Sequence, residues 1–266
     1  MRKKIKKGLV LVMATAFLAS FGFSQVEFTA FGLYNLNLSY PGSAELDSDV
    51  ESEISWYYPE WQAFFDAVLE QKGGMGFGGR IAFNITPAIG IEGSLEYIMA
   101  ETSFTEGIVD DLVDKMESIG YGDDVKVANE SGGNIMRYYG NIVFNIPSPG
   151  NMTPYITAGI GITQFKIAEG VGPEIDCDNP LTMQRAHIYY TDTSALTFNG
   201  GLGIKALFTP NIGLRIDARV FYCSPEFQQK FYNEVFGYIV FDDVDSLVQS
   251  GAHIDANLNV GFFARF

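Results

Sequence analysis

Nine charged residues recur in step along this chain: Arg80, Glu92, Glu96, Arg137, Lys205, Arg215, Asp217, Arg219 and Asp255. Each stands in the polar phase of a segment that alternates polar with apolar. A period of two puts them on one face of a sheet. Charges of both signs on one face pair across strands. The chemistry they offer is an ion-pair network. On a sheet closed upon itself, that network either plugs the interior or lines a narrow, gated passage.

Other reactive residues are few. A nucleophilic enzyme of the hydrolase kind needs a His held between a nucleophile and a carboxylate. The two His are His187 and His253, and neither has a Ser two residues away. His253 shares its phase with Asp255 but has no obvious nucleophile. Cys177 and Cys223 are the only cysteines. In an oxidising compartment they could join as a disulfide between two loops. Two Cys and two distant His do not form a metal centre. The acids Glu45, Asp47, Asp49, Glu51 and Glu53 lack the spacing of a calcium loop and read as solvated charge. Asp110, Asp111 and Asp114 read as the wet face of a helix. No catalytic residue, metal ligand or cofactor site is therefore assigned.

The elements that must position the nine charges come next. Residues 1–24 read as a secretory signal. Arg2, Lys3, Lys4, Lys6 and Lys7 form its charged region, and Leu9 to Ala19 is an apolar run too short to span a bilayer as a helix. Gly22 and Ser24 suit a cleavage site before Gln25. Residues 25–266 then form one domain, with no apolar stretch of about 18 residues. Cleavage takes away five cations and leaves 12 basic against 32 acidic residues. Such an acidic chain is a poor nucleic-acid binder.

Eight segments alternate well enough to be strands: Val26–Tyr40, Met75–Ile85, Ala88–Glu101, Asn134–Ile146, Tyr155–Ile167, Ala195–Phe208, Asn211–Tyr222 and Ala252–Phe266. Each exceeds the roughly 9–11 residues that a tilted strand needs to cross hydrocarbon. Short connections at Thr86-Pro87, Pro147 to Pro154 and Thr209-Pro210 alternate with four long ones. Ile85-Thr86-Pro87-Ala88-Ile89-Gly90-Ile91-Glu92 is echoed by Phe208-Thr209-Pro210-Asn211-Ile212-Gly213-Leu214-Arg215, so a hairpin of two strands is the repeating unit.

Charge and aromatic residues sort along these strands. The four long loops hold 26 of the 32 acidic residues. Of the thirteen strand charges, eleven take the polar phase: the nine above, Glu27 and Arg265. Glu101 and Lys166 depart from it at outer strand ends. On the apolar phase Phe28, Phe83, Phe144, Phe208 and Phe266 gather at one end, and Tyr40, Tyr97, Tyr138 and Tyr222 at the other. Two aromatic girdles mark the two faces of a membrane. A soluble sandwich would have no reason to sort those residues by end. Within the loops, Pro59 to Leu69, Ile108 to Ile119 and Phe227, Phe231 and Val235 carry apolar residues at helical spacing. They are expected to pack as a lid, or to offer a surface to an extracellular protein or an apolar ligand.

These residues resemble the eight-stranded outer-membrane barrels typified by the OmpA N-terminal domain, OmpX and OmpW. The resemblance covers residues 25–266 as a pattern. Its most specific part is Asn259-Val260-Gly261-Phe262-Phe263-Ala264-Arg265-Phe266, which looks like the assembly signal of that class at Asn259, Gly261 and Phe266. The resemblance implies an all-β, eight-stranded antiparallel transmembrane barrel in the cell outer membrane. It also implies short periplasmic turns, long extracellular loops, contact with outer-membrane lipids and recognition by the barrel-insertion machinery. A structural or surface-interaction role with a plugged lumen fits best. The alternatives are a narrow channel for small hydrophobic molecules, as in the OmpW-like barrels, and, more weakly, a lipid A-modifying enzyme.

Overall fold

A computed structural model describes residues 25–39, 45–46, 69–104, 114, 125–129, 132–167, 173–177, 184–235, 238–241 and 247–266. In chain order the strands are β1 (Gln25–Ser39), β2 (Glu45–Leu46), β3 (Leu69–Gln71), β4 (Met75–Asn84), β5 (Ile89–Met99), β6 (Thr102–Phe104), β7 (Val125–Asn129), β8 (Gly133–Asn145), β9 (Met152–Ile167), β10 (Pro173–Cys177), β11 (Gln184–Tyr190), β12 (Thr193–Leu207), β13 (Ile212–Cys223), β14 (Glu226–Val235), β15 (Tyr238–Phe241), β16 (Leu247–Ser250) and β17 (His253–Arg265). Eight of them close into an antiparallel barrel in the order β1-β17-β13-β12-β9-β8-β5-β4. These are the eight segments whose alternation marks them as strands in the sequence. Among the described residues no helix is long and apolar enough to cross a membrane.

The alternation of residue types becomes an alternation of burial. Along β1, Glu27, Thr29, Phe31, Leu33 and Asn35 are buried inside the barrel, while Phe28, Tyr34 and Leu36 are exposed on its outside. β5, β8, β13 and β17 repeat the pattern. The outer face is apolar, with Ile81, Leu95, Ile142, Ile160, Leu202, Ile216 and Val260 among its exposed side chains. Hydrocarbon is the medium in which such a face is stable.

The repeated turn has a chemical basis. Thr86 Oγ1 accepts the Ala88 and Ile89 amides at 3.2 and 2.9 Å. Thr209 Oγ1 accepts those of Asn211 and Ile212 at 3.3 and 3.0 Å. A threonine hydroxyl thus satisfies the amides just past the proline, which itself has none. The third turn differs from expectation, because β9 begins at Met152, before Pro154. Pro154 lies near the strand start, where a missing donor is tolerated, and its carbonyl accepts the Ile146 amide at 2.8 Å.

The barrel wall continues beyond the outer strand ends. The second sheet runs β2-β16-β14-β11-β10-β7, with β15 on β14, and the third pairs β3 with β6. Apart from β15, each of these strands adjoins in sequence the barrel strand it extends, and the orders match. β14 corrects one expectation. Phe227, Phe231 and Val235 lie on a strand, Glu226–Val235, and not on a helix. Offsets of four and eight are even, so one face of a strand holds them as readily as a helix does. The helical stripe at 59–69 lies outside the described residues except for Leu69, which is in β3. The stripe at 108–119 lies outside them except for Asp114, which is exposed.

Candidate functional site

The nine charged residues converge inside the barrel, and each is at most 3% exposed. Strand phase is what brings them there, since all occupy inward positions of β4, β5, β8, β12, β13 and β17. At the middle, Asp217 of β13 accepts Arg80 Nη1 at 2.6 Å and Arg219 Nε at 2.8 Å. Glu92 of β5 takes Arg215 Nη1 at 2.6 Å and Arg219 Nη2 at 2.8 Å. Arg80 also lies 3.5 Å from Glu96. Glu96 accepts the Tyr139 hydroxyl, and the Asn257 amide at 2.9 Å.

The network runs on towards both ends. Outward, Asn35 donates to Asn257 Oδ1 at 2.7 Å and to Asp255 Oδ1 at 2.9 Å. Asp255 pairs with Arg137 and holds His253 Nε2 at 3.0 Å. Inward of the middle layer, Glu27 is met by Lys205 at 3.0 Å, Arg215 at 3.6 Å and Arg265 at 3.5 Å. One connected set of polar contacts therefore spans the lumen from Arg265 to Arg137. In low dielectric each carboxylate is matched to at least one cation, the condition under which buried charge is tolerated.

Aromatic rings cover the guanidinium planes. Arg80 stacks 4.0 Å from the Phe31 ring, Arg137 4.2 Å from Phe221 and Arg215 4.6 Å from Tyr155. Such stacking adds cation–π attraction to the ion pairs. The rings fit because glycines face them. A Cβ at Gly78 would fall 2.4 Å from the Phe31 ring, and one at Gly203 would fall 2.5 Å from that of Tyr155.

Towards the outer strand ends the lumen turns apolar. Ile98, Ile135, Phe165 and Phe227 are buried there. Phe165 packs edge to face against Phe227 at 5.5 Å and against the His253 ring at 5.2 Å. Phe227 comes from β14, so the extension of the wall contributes to this layer.

Residue typing alone missed several partners. Glu27 has the right phase but stands apart from the nine near a chain end. Tyr139, Tyr155, Asn35 and Asn257 carry no formal charge, yet they join or orient the ions. Their inward phase was the available indication. Asn259 donates to Asp217 at 2.9 Å, Gly261 has its Cβ position 2.5 Å from Phe31 Cβ, and Phe266 is exposed, its backbone paired with Val26. Cys223 is a buried free thiol whose strand neighbours are Thr197 and His253. The side chains of Cys177 and His187 lie outside the described residues. The acids at 47, 49, 51, 53, 110 and 111 lie outside them altogether, and Glu45 is described only as part of β2.

Comparison with known proteins agrees with this architecture. The outer membrane protein beta-barrel domain family matches the sequence over residues 9–238. The outer membrane protein OprG from Pseudomonas aeruginosa is 8% identical, over 91% of this chain and 95% of that one, with a TM-score of 0.52. The outer membrane protein AlkL, solved in lipid bilayers, is 15% identical over 92% of each chain, with a TM-score of 0.47. Neisserial surface protein A is 10% identical over 91% of this chain and 97% of that one, with a TM-score of 0.37. No curated protein matches the sequence.

Proposed function

Since this chain belongs to the outer membrane protein beta-barrel domain family, we propose that it is a sealed, non-catalytic barrel whose outer end is its working surface. The supporting observation is the connected Arg–carboxylate network across the lumen, centred on Glu92, Asp217, Arg80, Arg215 and Arg219. A passing ion or solute must displace buried pairs, and leaving one partner of such a pair uncompensated costs about 3–5 kcal/mol. The wall above the barrel then acts as a rigid display for an extracellular partner. The chain reaches this place as residues 25–266 after cleavage before Gln25, and Asn259, Gly261 and Phe266 serve in recognition by the insertion machinery. Cys223 and Cys177 are kept as a candidate pair for oxidation in the mature protein.

Planar bilayers carrying the purified protein test the seal. The expected result is silence, with channels appearing only when Asp217 and Glu92 are both replaced by alanine. Open channels in the unaltered protein would overturn the reading.

A second reading has its own support in the apolar outer layer of Ile98, Ile135, Phe165 and Phe227. There a small hydrophobic molecule would enter from outside and leave sideways above the ionic layer. A deletion strain assayed for envelope integrity and for uptake of hydrophobic compounds separates the two. Slower uptake with an intact envelope favours passage, and a weakened envelope with unchanged uptake favours the structural role.

A further inference from the structure

Gln25 lies where three independent features meet. It follows Gly22 and Ser24, the small residues of the cleavage site. It is the first residue of β1, opposite Asn84 of β4. It stands two residues before Glu27, on the same side of the strand. We infer that cleavage before Gln25 exposes a glutamine that cyclises to pyroglutamate, leaving the barrel with a neutral, blocked N-terminus. This inference rests on the cleavage proposed above.

The step balances within one residue. The freed α-amine of Gln25 attacks its own side-chain carbonyl carbon, Cδ. A nitrogen–carbon bond forms, the Cδ–Nε2 bond breaks, and the side-chain nitrogen leaves as ammonia. A five-membered lactam remains. The step needs no oxidant or reductant, only the free amine that cleavage supplies.

Position favours the product. An α-amine has an ordinary pKa of about 7.7–8.0 and is largely cationic at neutral pH. On the lumen side at this end of β1, Lys205, Arg215 and Arg265 already share Glu27. For Lys205 and Arg265 it is the single carboxylate partner among the described residues. A further cation two residues away, at a partly buried position, adds to the three that already share this one carboxylate. The lactam removes that charge. It also leaves the closing contacts of the barrel intact, because the first cross-seam amide is that of Val26, which donates to the Phe266 carbonyl at 3.0 Å.

The test is intact-mass analysis of the full-length precursor after export, on protein extracted from outer membranes, with N-terminal sequencing before and after pyroglutamate aminopeptidase. The expected mass is that of residues 25–266 less one ammonia, with sequencing blocked until the enzyme is added and then starting at Val26. A mass equal to residues 25–266 with a free amine keeps the cleavage site and overturns the ring. A chain starting at any other residue overturns the cleavage reading and the ring with it. Gln25→Ala provides the control, with no loss of ammonia and an α-amine open to labelling.

Discussion

The two faces of one barrel wall solve opposite problems with the same strands. Inward positions carry charge and leave almost no space, while outward positions are apolar except at the outer strand ends, as at Lys166, and are bounded by hydrocarbon. Glycine shows the contrast most sharply. At inward Gly78 an added Cβ meets the Phe31 ring at 2.4 Å, but at outward Gly93 nothing lies within 4 Å. An inward residue is thus fixed by its neighbours across the lumen. An outward residue is fixed only by its medium.

The largest test of this difference is to unpair the middle layer. Asp217→Leu removes the carboxylate shared by Arg80 and Arg219 and is expected to cost about 3–5 kcal/mol. Urea unfolding from lipid vesicles, followed by the shift in gel mobility between folded and unfolded barrel, measures it. Replacing Arg80 by Met as well should recover part of the loss, and a double-mutant cycle gives the coupling. Next in size is a charge placed on the other face. Ile216→Arg, one residue from Asp217 but outside, should cost about 2–4 kcal/mol at mid-wall, whereas Ile216→Leu should be near neutral in the same assay.

The glycine pair sharpens the comparison further. Gly78→Ala forces the Phe31 ring to move and should destabilise by about 1–3 kcal/mol. Gly93→Ala meets open space and relieves the conformational cost of a strand glycine, so a gain of about 0.5–1 kcal/mol is expected. Equal effects at the two sites would break the distinction between the faces. The smallest loss belongs to Arg265→Gln at the rim. Its partner Glu27 keeps Lys205 and Arg215, and the side chain of Arg265 is 17% exposed. Because the pair is long and two cations stay on the buried carboxylate, a change of about 1 kcal/mol is expected on the same unfolding curve.

The sequence made the strands and their facing legible because one physical rule, a period of two, governs both. It also identified the inward charges as a group. It did not identify partners. Asp217 and Arg80 belong to β13 and β4, which are not neighbours in the sheet, and they meet only because the sheet closes. Closure likewise explains why the roles of Tyr139 and Asn257 are not legible in the sequence, since they depend on what lies across the lumen. In the loops the rule lost its power. Spacings of four and eight suit a helix and a strand alike, which is why Phe227 belongs to β14 and to the lumen seal instead of a helical lid.

The barrel strands farthest apart in this sequence, β1 and β17, are neighbours in the sheet. β1 pairs with β17 along its length, and the Val26 and Phe266 backbones bond each other in both directions. Until that seam closes, β1 and β17 are two unmatched borders more than two hundred residues apart, each a template for aggregation. A chain without β17 therefore has a sheet with nothing to shut it.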